Sequence, residues 1–591
     1  MERTEIKKED QWDLSLIYKN NQDFYNDLDD AKNILSQLIL QKDTFLTSVD
    51  HFLQFHNDYT KLSTYITKLH CFAHLHCDVE PNNQDYQTMY ASVFSFLDEL
   101  QQSLDFYVVD MISHSDIVLK YLEDDRLEDY RYSIRDLLRQ KEHTLSKEME
   151  TLLSKTSAIS DVSSQVFDAL RLEYEPVHIN GKEETLNNAT LNEFLKNKDI
   201  HIRQEAYHHF FKEYKKYENV YAATLAGVMK KDAFYADVRK FTSPLEASLF
   251  DDDVPTELFF KILKKANEDY RPLFHRYLAL KKKILHLDRM YNYDINIPLV
   301  DASNHKYTID ECFDIIFDVV KIFGDEYVDI IKKAREEHWI DYYPHTGKRI
   351  GAYSSGGYGV QPFILMNFIG DYHSLSTMIH ELGHSCHTYL SCKNQSAVNS
   401  DYKIFVAEVA STVNETLLIQ YMLNHTKDTK EKSYYLYELI ENCIGLLFRQ
   451  PFFAQFEHTL HNWAKDNKPM SAQTITEYYT QLNKDYYGPD VELDPLVGHS
   501  CFYVPHFYYD YYVYKYTLGM TVALAIVSRI LNGDEKQKEN YLQFLKSGAS
   551  QSPIDLLKSA GVDPLDDQIY DDAFHYFEEK LNKLENLLIN E

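Results

Sequence analysis

Asp371-Tyr-His-Ser-Leu-Ser-Thr-Met-Ile-His380-Glu381-Leu-Gly-His384-Ser-Cys-His387 carries His-Glu-x-x-His inside a run of helical apolar spacing. Four residues is just over one helical turn, so His380 and His384 leave one face, their imidazoles about as far apart as one zinc ion can bridge. Glu381 stands about 100° away around the axis, near enough to reach a water on such an ion without ligating it. Leu375, Met378, Ile379 and Leu382 make the helix partly buried, and buried imidazoles need partners, which one cation supplies to both. In a chain with 26 His and 92 acidic residues, chance supplies roughly 0.2 such matches, so coincidence is the weaker reading.

Residues 347–383, leading into and through this stretch, hold seven of the chain's seventeen glycines. Residues 351–359 read as a mobile, close-approach loop and residues 362–368 as a strand entering the histidine helix. A phosphate loop does not fit, because no Gly-Lys-Ser/Thr follows and no helix starts at the glycines. A glycine loop with an edge strand suits a protein that pairs a substrate's peptide backbone as an added strand. Beyond the motif, Phe405-Val-Ala-Glu408-Val-Ala-Ser411-Thr-Val-Asn-Glu415 is helical, with Glu408 twenty-four residues past His384. That length lets the chain turn back and offer Glu408 as a third zinc ligand; a carboxylate among Phe405, Val406, Val409 and Ala410 is costly unless it binds something. Glu408, Ser411 and Glu415 share one face, and Glu415 is placed to orient a zinc ligand.

Low Gly and Pro counts predict long helices. A formal charge of −31 argues against a nucleic-acid partner and mildly favours neutral or cationic ligands, although plain solubility explains it equally well. Seven scattered cysteines without a Cys-x-x-Cys pair indicate neither a disulfide framework nor a zinc cluster, which fits a reducing cytoplasm. The first ten residues lack the apolar core of a secretory signal, and no segment has the ~18–20 apolar residues of a membrane span.

Residues 12–170 read as helices broken at 80–83 and 113–116, with Ser146 as a helix cap. Asn180-Gly181 between two short alternating runs predicts a type I′ hairpin, and the expected division falls there, into an N-terminal helical region (1–180) and a catalytic region (181–591). A second helical region follows, interrupted around 241–244 and 251–255. Seven tyrosines lie between 503 and 516, where helical spacing would put His506, Tyr509, Val513 and Tyr516 on one face as donors to an oxyanion.

Several stretches resemble oligoendopeptidase F, a branch of the thimet oligopeptidase family of zinc metallopeptidases. They are Trp339-Ile-Asp-Tyr, Gly347-Lys-Arg-Ile-Gly351-Ala-Tyr-Ser, Pro362-Phe-Ile-Leu-Met-Asn-Phe, His380-Glu-Leu-Gly-His-Ser-Cys-His, Phe405-Val-Ala-Glu408 with its sequel, and Pro505-His-Phe-Tyr-Tyr-Asp-Tyr-Tyr-Val-Tyr. The resemblance implies a mainly α, two-lobed helical metallopeptidase with a deep substrate channel and a small β element beside the active-site helix. It implies one Zn2+ per chain on His380, His384 and Glu408, Glu381 as general base, and His506, Tyr509 and Tyr516 as substrate and oxyanion binders. The implied activity is endopeptidase cleavage of short unstructured peptides, against a carboxypeptidase or dipeptidase of the same build or an inactive peptide-binding homologue. No nucleic-acid or membrane partner is expected. Ser500-Cys-Phe-Tyr-Val504 departs from the tryptophan and arginine expected before Pro505.

Overall fold

The computed structural model describes residues 2–590 and is mainly α-helical. The chain forms two compact units, each gathered from three separate segments: residues 1–144, 303–421 and 523–563 in the first, and 145–302, 422–522 and 564–591 in the second. The hairpin expected to mark a boundary lies inside the second unit. Its strands β1 (Val177–Ile179) and β2 (Lys182–Glu184) pair antiparallel, and Asn180 (φ 51°) and Gly181 (φ 78°) take the left-handed conformations that a type I′ turn requires. A turn signal reports local backbone geometry and cannot report that the chain later returns to an earlier unit.

Local chemistry sets the helix ends. The 31-residue helix Val49–Val79 starts where the Ser48 hydroxyl accepts from the His51 N–H; past the break at residues 80–83, Asn83 caps Gln84–Ser103 by accepting from Asp85 and Tyr86. The second expected break is real but slight: one helix ends at Ser113 and the next begins at Ser115. In the second unit the expected cap at Ser146 accepts from the Met149 N–H at 3.4 Å, and Ser243 caps a helix that begins on Pro244. Among the described residues no helix is long and apolar enough to cross a membrane, and all seven cysteines are free.

A three-stranded sheet of order β3-β5-β4 is built into the first unit: β3 (Ile340–Asp341) runs parallel to β5 (Val360–Leu365), and β4 (Tyr353–Gly357) antiparallel to it. The stretch read as a mobile glycine loop is therefore largely strand β4 and its turn. A Cβ on Gly356 would come within 2.7 Å of the Pro362 Cα, and the ladder shifts register between Ser355 and Gly357. Here glycine allows two backbones to close up at a bulge.

An ion pair removed from solvent underpins this sheet. Lys348 Nζ donates to Asp341 Oδ1 (2.6 Å) and to the carbonyls of Asp341 (3.1 Å) and Tyr343 (2.8 Å), while Arg3 donates to Asp341 Oδ2 (2.9 Å). Every proton of the ammonium finds an acceptor, which is the condition for a buried charge to be tolerated. Lys348→Met should destabilise the first unit by about 3–5 kcal/mol, since it strands a buried carboxylate. Scanning calorimetry should show that unit melting several degrees lower, with partial recovery in Asp341→Leu/Lys348→Met; an unchanged single-variant midpoint would mean that Arg3 alone satisfies Asp341.

Candidate metal centre

β5 leads into the helix Tyr372–Asn394. Its N-terminus is fixed by Asp371, which accepts from both the N–H and the hydroxyl of Ser374 (2.8 Å each). One buried face carries Leu375, Met378, Ile379 and Leu382, none detectably exposed. From the other, His380 and His384 bring their Nε2 atoms to 3.2 Å from one another. The helix Ile404–His425 crosses here, and Glu408 Oε2 lies 3.6 Å from each of the two nitrogens. Donors about 2.0–2.1 Å from a tetrahedral ion stand roughly 3.3 Å apart, so this triangle has the dimensions of a three-ligand metal face.

The rings are held from behind. His380 Nδ1 lies 3.3 Å from Glu415 Oε2, and the His384 ring bonds to the Ala407 carbonyl. Because a carboxylate only accepts, His380 Nδ1 carries a proton, and its Nε2 is the atom left facing His384 and Glu408. Two facing lone pairs with a carboxylate oxygen beside them repel unless a proton or a metal ion lies between them. Burial pushes both imidazoles down. The hydrogen bond and charge of Glu415, helped by Glu381 and Glu408, outweigh it at His380 and raise that ring to about 9. His384 lacks such a partner, and burial beside the His380 cation lowers it to about 4. One positive charge among three carboxylates is a poor balance, and a divalent cation fits this donor set.

Glu381 is 5% exposed, and its Oε2 has no hydrogen-bond partner. A backbone hydrogen bond from Ser354 on β4 reaches its carboxylate, and the Ser354 and Ser385 hydroxyls bond at 2.9 Å. Burial, reinforced by Glu408 and Glu415 and opposed by His380, raises Glu381 to about 7. It is thus poised to take or give a proton near neutrality. His387, last in the motif, turns away, stacking on Tyr402 at 3.7 Å with burial lowering it to about 3.

Gly383, between the two histidines, sets how closely the helices cross: a Cβ there would lie 2.9 Å from both the Ala410 oxygen and the Ser411 Cα. Asn414 adds a bond to the Ile379 carbonyl (3.2 Å), and its own oxygen accepts from Tyr327 (3.1 Å).

His506, Tyr509 and Tyr516 belong to the second unit. Their shared face does not come from one helix. A 3-10 turn spans Pro505–Tyr508, Asp510 and Tyr511 have φ of 43° and 54°, and helix Tyr514–Leu531 begins only afterwards. Two residues in the left-handed region break helical periodicity, which spacing alone does not reveal. Even so, the His506 ring lies 5.8 Å from that of Tyr509 and 6.2 Å from that of Tyr516, while Val513 is fully buried. Tyr509 is 57% exposed; burial lowers the His506 pKa. Other tyrosines of the cluster are packed: Tyr508 stacks on Phe167 at 4.1 Å, and Tyr511 stacks on His461 at 4.5 Å. Sequence reasoning missed His461 and its acidic neighbours; the one available signal was Glu457 and His461 at helical i, i+4 spacing.

A glutamate-bearing histidine pair on one helix, met by a carboxylate from the next, is the architecture of a metallopeptidase. Residues 193–576 match the family model described as Peptidase family M3, and residues 114–173 match that described as Oligopeptidase F. The chain belongs to peptidase family M3. Within it the likeness is to the oligoendopeptidase F group. Oligopeptidase PepF of Bacillus subtilis (strain 168) is 36% identical over 594 residues, spanning 100% of this chain and 88% of that one. An oligoendopeptidase F homolog of Borreliella burgdorferi is 30% identical over 589 residues, 99% of each chain. The crystal structure of oligoendopeptidase-F from Enterococcus faecium superposes with a TM-score of 0.75 at 29% identity, over 97% of this chain and 100% of that chain. A solved structure from Chlamydophila abortus gives 0.91 at 28% identity, over 99% of each.

Gly383→Ala should push the crossing helices apart and weaken metal binding on the 10–100-fold scale typical of lost support around a ligand. Chelator competition would measure it, and wild-type retention would show that the close approach does not set the site.

Proposed function

We propose that this protein is a zinc-dependent endopeptidase acting on internal bonds of short, unstructured oligopeptides in the cytoplasm. The observation that carries the reading is the convergence of the His380 and His384 Nε2 atoms on Glu408, with the unpartnered carboxylate oxygen of Glu381 beside them. His380, His384 and Glu408 would hold one Zn2+, which when bound supplies a Lewis acid that polarises the scissile carbonyl and acidifies the attacking water.

The chain's own groups do the rest. Glu381, near neutral in pKa, accepts the water's proton and later delivers it to the leaving amine. Ser354 holds that carboxylate in place through its backbone. Glu415 keeps the His380 ring turned with Nε2 inward. β4 has β5 on one side only, so its outer edge suits an extended peptide added as a further strand. His506, Tyr509 and Tyr516 are assigned as donors to the carbonyl oxygen as negative charge builds on it, a role worth roughly 3 kcal/mol per donor in other enzymes. That assignment rests on their chemistry and on the family resemblance.

Glu381→Gln keeps the shape of the side chain and removes its basicity, so it should retain metal while turnover of a quenched peptide falls by about 10²–10⁴-fold. Activity within tenfold of wild type would refute the general-base assignment. A peptide blocked at both ends separates the endopeptidase from an exopeptidase of the same build: internal fragments in the mass spectrum are expected, and an uncut peptide would exclude the endopeptidase.

A further inference from the structure

The second unit contains another converging donor set, away from the motif. Asp232 lies on helix Glu218–Val238, Glu457 and His461 on helix Gln450–Lys465, and Asp510 in the left-handed turn before helix Tyr514–Leu531. His461 is fully buried. Its Nδ1 lies 3.1 Å from the Glu457 carbonyl, which can only accept, so a proton sits there and Nε2 is the atom that faces the acids. That nitrogen is 3.1 Å from Asp232 Oδ2 and 3.7 Å from Asp510 Oδ1, and ligand atoms of all three residues lie within 4.8 Å of one another. The two distances from Nε2 are close to the 3.2 and 3.6 Å found around His380 Nε2.

A proton on Nε2 could bridge only one of these acids. It would serve Asp232, leaving Asp510 Oδ1, a buried atom with no hydrogen-bond partner. Glu457 is also fully buried: its Oε1 accepts from the Tyr511 N–H at 2.6 Å, and its Oε2 is without a partner. Glu457 lies one helical turn before His461 on the same helix. Lys231 approaches the outer oxygen of Asp232, its Oδ1, at 3.7 Å, which leaves Oδ2 turned inward. The inward oxygens of Asp232 and Asp510 thus face His461 Nε2 together.

We propose that Asp232, His461 and Asp510 form a second divalent-cation site. One imidazole and two carboxylates, with no thiolate, suit Zn2+ or Mn2+ rather than a soft ion. The ion would tie the strained turn at Asp510 and Tyr511 to two helices of its unit. It would thereby fix the segment that carries His506, Tyr509 and Tyr516, a structural role independent of the chemistry at Glu381.

The test is metal stoichiometry on the full-length chain. Wild type, His380→Ala/His384→Ala, and that double variant with Asp510→Asn or Asp232→Asn added are loaded with Zn2+ or Mn2+, desalted and assayed by inductively coupled plasma mass spectrometry, with circular dichroism to verify folding. Two equivalents, one and none are expected, in that order. Electron paramagnetic resonance of Mn2+ on the double variant reads the second site without the acid substitutions, and should show the aquo signal lost on binding. A folded double variant that retains no ion of either kind would overturn the proposal and leave His461 as a protonated partner of Asp232. So would one equivalent that persists through both acid substitutions, since the ion would then sit elsewhere. If the motif itself failed to bind zinc, wild type and double variant would each hold one equivalent, which separates the two failures.

Discussion

Two imidazole nitrogens 3.2 Å apart, with a carboxylate oxygen 3.6 Å from each, crowd lone pairs that a proton or a metal ion must hold together. The surrounding structure exists in a form that maintains this frustration. Gly383 admits the neighbouring helix, Asn414 bonds it to the Ile379 carbonyl, and Glu408 and Glu415 arrive on one face of it, one toward Nε2 and the other toward Nδ1 of His380. A single methyl group at Gly383 would act on the metal centre without touching a ligand, because the ligands' separation is set by how closely two backbones approach.

The small sheet matters more than its size suggests. β5 is buried and feeds the histidine helix; β4 supplies the backbone group that holds Glu381; β3 is pinned through the solvent-excluded Asp341–Lys348 pair. The carboxylate assigned as base is therefore attached to the same strand whose free edge is assigned to the peptide. Substrate alignment and base position would then be coupled through one short piece of backbone.

The donor set around His461 repeats the logic of the motif with different residues. In both, an acceptor behind Nδ1 fixes the tautomer, Nε2 faces carboxylates, and at least one buried carboxylate oxygen lacks a partner. They differ in how the donors are brought together. The motif histidines share one turn of helix, whereas Asp232, His461 and Asp510 meet only after two helices and a left-handed turn have packed.

That contrast separates what was legible in the chain from what was not. Interactions closed within a turn or two of backbone could be read directly: His380, Glu381 and His384 on one helix, the cap at Ser146, the break around 241–244, the Asn180-Gly181 turn, and the helical character that few glycines and prolines allow. Glu408 and Glu415 were legible one step further, since polar residues on an otherwise apolar helix require a partner. Three things were decided by the tertiary structure. Within residues 351–359, Tyr353–Gly357 became strand because β5 offered hydrogen bonds and Pro362 a close neighbour. The tyrosine-rich segment broke at Asp510 and Tyr511, where left-handed backbone is held by Glu457 and Ser248 from elsewhere in the unit. The compact units are discontinuous, so no single cut along the chain describes them. Sequence encodes periodicity and local bonding geometry, while the pairing of residues hundreds of positions apart depends on which surfaces bury each other, and that is fixed only when the whole chain has packed.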